Sequence, residues 1–199
     1  MSGTFPSTPL PSSVVVRSLA MTQQDVTHSG RRNVRQFGAQ KWQLNCTFPA
    51  TLSRDQFMPM YAFLVSQAGK FGTFLFTPPD LANPRGSPSG TPLVKGGSQT
   101  GTSVTTDAWP NNTEIFKAGD VVKFTNSPKV YMLSADVTSD GSGNATLPIY
   151  PPLTESPINN EAVVYSNVPF TVQLISDTSE YAVRGPLLYS FSVELVEVI

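Results

Sequence analysis

Between residues 41 and 48 apolar and polar residues alternate. Trp42, Leu44, Cys46 and Phe48 fall on one side of an extended chain, and Gln43, Asn45 and Thr47 on the other. A period of two predicts a half-buried strand. The apolar run 14–16 predicts a first strand, and the polar segment 31–37, entered through the turn residue Gly30, a second. The period then lengthens. Ser53 with Gln56 three residues on forms a capping-box pattern, and Phe57, Met60, Tyr61, Leu64 and Ala68 recur at helical spacing until Gly69. One amphipathic helix follows from this, with a kink or a delayed start expected. Pro59, placed early in the run, cannot donate to the carbonyl of Asp55.

Residues 71–76 (FGTFLF) are aromatic and β-prone, and Pro78-Pro79 stops them. From 80 to about 101 the chain reads as a Gly/Pro/Ser-rich linker. Short strands are then predicted at 114–116, 121–124, 129–134, 145–149 and 162–165, and Asp140-Gly141-Ser142-Gly143 reads as a hairpin turn joining two of them. Two long strands close the chain: Phe170, Val172 and Leu174 alternate, and after Gly185-Pro186 so do Tyr189, Phe191, Val193 and Leu195. A lone helix with two or three early strands makes too small a sheet to stand alone, so the two ends of the chain are expected to pair. The fold class read from this pattern is mainly β. It comprises a discontinuous β-sandwich with one packed α-helix, from 14–79 and 167–199, and a small OB-like or SH3-like β-barrel inserted with its linker over 80–166. Residues 1–13, rich in Pro, Ser and Thr, are expected to form an extended arm.

Composition agrees, with 14% charged residues, 18 prolines and 14 glycines in 199 residues. The net charge of −1 conceals an imbalance: residues 1–70 carry seven Lys/Arg against only Asp25 and Asp55. The one basic cluster, Arg31, Arg32 and Arg35, lacks the interleaved aromatics of a base-stacking platform. It is read instead as a subunit interface, set against a solvated polar strand. The N-terminus lacks a basic start and an apolar run, and no stretch is apolar enough to cross a bilayer, so assembly in a cytoplasm and no membrane insertion are expected.

Catalytic patterns are missing from the sequence. His28, the only histidine, precedes Ser29-Gly30 in a turn, away from any nucleophile-elbow motif. One cysteine and one histidine cannot fill a tetrahedral zinc shell, and Cys46 sits in an apolar alternation as a packing residue. Asp136, Asp140, Gly141 and Asn144 lack EF-hand spacing and read as turn chemistry. Neither phosphate-loop pattern occurs, and no cofactor is expected. On the barrel, Trp109, Tyr131 and Tyr150 are candidate sugar-stacking or partner-contact residues, weighed against plain core packing.

Several runs taken in order resemble the distal tail proteins of long-tailed bacteriophages and phage-derived gene-transfer particles. They are KWQLNCTFPATLSRDQFMPMYAFLVSQAGKFGTFLFTPP, then Gly96-Gly97-Ser98-Gln99-Thr100-Gly101, AGDVVKF, KVYML, DVTSDGSGNATLPIYPPL and YSFSVELVEV. The resemblance implies a tail-tube-like belt domain that assembles as a hexameric ring between tail-tube protein and tip hub protein. It also implies an outward barrel that holds a fibre or receptor-binding protein, and a lumen through which DNA passes in transient, non-specific contact. The expected location is the tail tip of the virion. A carbohydrate-binding module and a tail-tube or tail-completion protein are the alternative readings.

Overall fold

The computed structural model describes residues 3–185 and 188–199. The first strands are β1 (Ser13–Leu19), β2 (Thr22–Val26), β3 (Arg32–Gln36) and β4 (Lys41–Thr47), followed by helix α1 (Arg54–Ser66) and β5 (Thr73–Phe76). The next block holds β6 (Leu93–Val94), β7 (Ser103–Asp107), β8 (Glu114–Phe116), β9 (Val121–Phe124), β10 (Val130–Leu133), β11 (Val137–Thr138), β12 (Ala145–Tyr150) and β13 (Val163–Val164). The chain closes with β14 (Phe170–Leu174), β15 (Ala182–Arg184), β16 (Leu188–Ser190) and β17 (Ser192–Glu197). The fold is mainly β with a single α-helix among the described residues, as the hydrophobic pattern implies.

Strands from both ends of the chain form one antiparallel sheet in the order β1-β4-β17-β14-β5. One face is apolar: Trp42, Leu44, Cys46, Phe74, Phe76, Val172, Val193 and Leu195 all join a single buried cluster. Against it lie Phe57, Met60 and Leu64 of α1, spaced so that one helix face meets the sheet. Pro59 stands inside α1, which nonetheless begins at Arg54; the delayed start does not occur. The Gln56 side chain accepts the Ser53 N–H at 3.1 Å, so the missing hydrogen bond of the proline falls in a helix whose first turn is already fixed. Beyond the helix the backbone turns left-handed at Ala68 and Gly69. A Cβ at Gly69 would sit 2.6 Å from the Asp177 carboxylate, an approach only glycine permits.

The second unit is a six-stranded sheet, β13-β9-β10-β12-β7-β6, curled until its edges meet. Val94 donates to the Glu161 carbonyl at 2.9 Å and Val163 to that of Pro92 at 3.0 Å, so the two edge strands share hydrogen bonds. The interior is filled by Val104, Ile115, Phe116, Phe124, Tyr131 and Leu147.

Four sequence expectations need correction. The N-terminal arm is not free: Phe5 donates its N–H to Leu75 at 2.8 Å, and its ring is buried between Phe48, Phe63, Phe74 and Phe76. One aromatic residue gives this otherwise polar segment enough apolar area to hold it. The segment 80–101 is not mere linker, since β6 lies within it and closes the barrel. The turn at Asp140 joins β11 to β12, which belong to different sheets. The final alternation is two strands, β16 and β17, interrupted at Phe191, whose ring stacks on Phe48 at 4.3 Å.

Candidate functional site

The strands β1 and β4 are paired from Ser13↔Thr47 to Leu19↔Lys41, and β2 and β3 continue the same ribbon from Thr22↔Gln36 to Val26↔Arg32. Two residues on one side of the junction face four on the other, a bulge that re-aims the outer part. The ribbon closes through Thr27–Gly30, where Thr27 donates to the Arg31 carbonyl at 2.9 Å and Gly30 has φ +80°. His28 is an exposed turn residue there. Every residue of β2 and β3 is exposed, including Val26 and Val34, with Leu19, Met21 and Phe37 uncovered near the bulge. A two-stranded ribbon with this much bare apolar surface is marginal by itself.

Arg31, Arg32 and Arg35 lie on this outer ribbon, and none forms an ion pair among the described residues. They do not make one patch. Arg32 shares a face with Val26 and Val34, whereas Arg35 points to the opposite face beside Gln23.

The barrel aromatics divide between the two readings, two of them serving as core packing. Trp109 is 4% exposed, donates to Thr106 Oγ1 at 2.8 Å and meets Phe116 edge-on; Tyr131 is fully buried, its hydroxyl 3.1 Å from Thr154 Oγ1. Neither ring can stack on a sugar, because each one's apolar body fills the barrel while its polar tip is satisfied internally. Tyr150 alone is open, at 41% exposure. Asp140 is committed to its turn, accepting N–H groups of Ser142 and Asn144 at 2.8 Å, and the Asn144 side chain with these amides holds its carboxyl below the usual range. Cys46 is buried, and desolvation pushes its thiol up to about 12, which makes it inert packing.

Sequence reasoning missed the junction between barrel and sheet. Lys129 of the barrel and Glu197 of β17 form an ion pair with neither side chain exposed. The Lys129 ammonium also donates to Gln40 Oε1 at 2.9 Å. The carboxylate of Glu197 accepts the N–H of Trp42 at 3.1 Å and that of Val130 at 2.9 Å. Trp42 Nε1 returns a bond to the Val130 carbonyl at 2.9 Å. Burial pulls the Lys129 ammonium down from its ordinary range while Glu197 opposes that shift. One signal was present in the sequence: Glu197 stands in phase with the buried Val193 and Leu195, where a carboxylate needs a partner.

A second feature without a sequence signal is a groove of about 960 Å³ at the Ser13↔Thr47 end of the sheet. Phe48, Tyr61, Tyr181 and Phe191 form its aromatic walls, and Glu180 and Glu194 are the only charged residues among its described lining. It opens at the end of the ribbon opposite the Gly30 turn.

The described residues hold no group of three or more His, Cys, Asp or Glu side chains placed to take a metal ion, and no helix among them is long and apolar enough to cross a membrane. The features that stand out are surfaces and a rigid junction, which define a mainly β protein carrying a small barrel on a sheet-and-helix unit. Residues 81–168 match the family model described as Distal tail protein pb9, B domain, a stretch that contains β6 through β13. Over that stretch, which is less than half of the chain, the protein is similar to the B domain of a phage distal tail protein. No curated protein matches the sequence.

Proposed function

We propose that this chain is the subunit of a ring at the distal end of a phage tail, a hexamer that joins the tube to the tip hub. The observation that carries the reading is the family match over the barrel. The rest of the chain supplies a physical motive for self-association: β1 is an open sheet edge, and the ribbon beyond it is exposed on all sides. Closing a ring with neighbours removes such edges.

The outward face of the five-stranded sheet suits a lumen. One row across it runs Arg17, Gln43, Val196, Gln173 and Thr73, and the next holds Val15, Asn45 and Glu194. Arg17 is the one charge in the first row, so a wall built on it neutralises few phosphates and lets DNA pass. Glu194 in the second row lines the groove and is not counted in that wall. The barrel is held to the ring body by the Lys129–Glu197 junction, so a load applied by a fibre or receptor-binding protein is transmitted to the sheet.

Native mass spectrometry of the purified protein at several concentrations, with negative-stain images, tests this reading. Six-membered rings with a central hole are the expected result. A strict monomer up to millimolar concentration counts against it.

A further inference from the structure

The ribbon and the groove are each incomplete in one copy. The outer ribbon carries three arginines without ion-pair partners among the described residues and uncovered Val26 and Val34. The groove carries Glu180 and Glu194 with no Lys or Arg among its described lining, and its aromatic walls include Tyr181 at 40% exposure. A chain cannot satisfy itself. From Ser13 at the groove end to Val26 at the outer end the ribbon runs along strands rising about 3.3 Å per residue, which separates the two by roughly 40 Å. The exposure of every β2 and β3 residue shows that the ribbon does not fold back.

We infer that the β2–β3 ribbon of one copy inserts into the groove of a second copy, with Arg32 and Arg35 facing Glu180 and Glu194. This rests on the ring reading and names the contact that closes the ring. Because the contacting surfaces are different patches, the contact is head-to-tail, the arrangement that generates a closed ring when the rotation permits. The division of the arginines between both ribbon faces fits a slot with two walls, one on the 176–182 loop and one on the sheet; a flat surface would use only one face. Guanidinium groups suit such walls, since they stack on tyrosine and pair in a fork with a carboxylate. A volume of about 960 Å³ accommodates several side chains of arginine and valine size.

The test uses the full chain and charge reversal at exposed positions, with circular dichroism to confirm that each variant keeps its fold. Arg32→Glu with Arg35→Glu, and separately Glu180→Arg with Glu194→Arg, should each raise the ring dissociation constant on the order of 100-fold in native mass spectrometry. An equimolar mixture of the two variants should recover rings in which they alternate, because each ribbon then meets a groove of opposite charge, and the fourfold charge-swapped chain should regain rings by itself. Wild-type rings that persist unchanged in both double variants would overturn the ribbon-in-groove contact and leave the ring reading standing. A wild-type chain that stays monomeric up to millimolar concentration overturns both.

Discussion

The inner and outer halves of one β-ribbon have opposite fates. In β4, Trp42, Leu44 and Cys46 are buried beneath a helix, and Gln40 and Trp42 are tied to the barrel. Eight residues further out from Trp42, no described residue of the same copy covers Val34, nor Val26 beyond it. Both halves have the same backbone pairing, so hydrogen bonds between strands do not distinguish them. What differs is whether side chains have an apolar layer to meet, and a ribbon without one is a surface prepared for a partner.

The sharpest break of this contrast lies at the inner end. Lys129→Met leaves the Glu197 carboxylate buried without its counter-ion and should destabilise the protein by about 3–5 kcal/mol in urea unfolding. Adding Glu197→Leu should return most of that loss, since replacing both members of a buried pair by apolar groups is often near neutral. Recovery by the double variant would show that the penalty comes from the orphaned charge and not from lost packing.

Leu44→Ala, in the covered half, should cost about 2–5 kcal/mol by the same measurement, because a fully buried leucine leaves a cavity. A loss under about 1 kcal/mol would mean that the sheet core collapses easily there.

Acid should act on the barrel. Hydrogen bonds from the backbone N–H of Ala118 and from Lys117 hold the Asp136 carboxyl below its ordinary value, and those from Asn144 and Ser142 do the same for Asp140. Folded values lower than unfolded ones mean that their stabilising contribution is full above the ordinary carboxylate value and is lost as pH falls through the lower folded value. Stability should therefore drop below about pH 4. Asp140→Asn should flatten that drop in an acid titration followed by tryptophan fluorescence; an unchanged profile would assign the acid sensitivity elsewhere.

The smallest effect is expected at the outer half. Val34→Ser should change monomer stability by no more than about 0.5 kcal/mol, because the side chain is already in water. Its effect should appear only in assembly, as weaker rings in native mass spectrometry. A large loss of monomer stability would show that the ribbon is covered within its own copy.

The elements with the strongest periodicity were readable directly. The alternation from Trp42 to Cys46 and the Phe57, Met60, Leu64 spacing are local consequences of a two- and a 3.6-residue repeat, and both occur where the pattern places them. Residues Thr22 to Val26 were not legible as a strand, since TQQDV has no alternation and its pairing is imposed by the ribbon that contains it. Trp109 and Tyr131 look alike in sequence to the exposed Tyr150. Which aromatic faces inward depends on barrel closure, a property of six strands at once.

By itself, then, the sequence determined the β character, the single helix, the pairing of the chain's two ends and the turn role of Asp140, because each follows from residues near one another or from a simple deficit of sheet. The tertiary structure decided the burial of Phe5, the Lys129–Glu197 junction and the groove between the 176–182 loop and the sheet. Each of these brings together side chains dozens of residues apart. Lys129 and Glu197 are separated by 68 positions, and no local pattern encodes the desolvation that makes their contact matter.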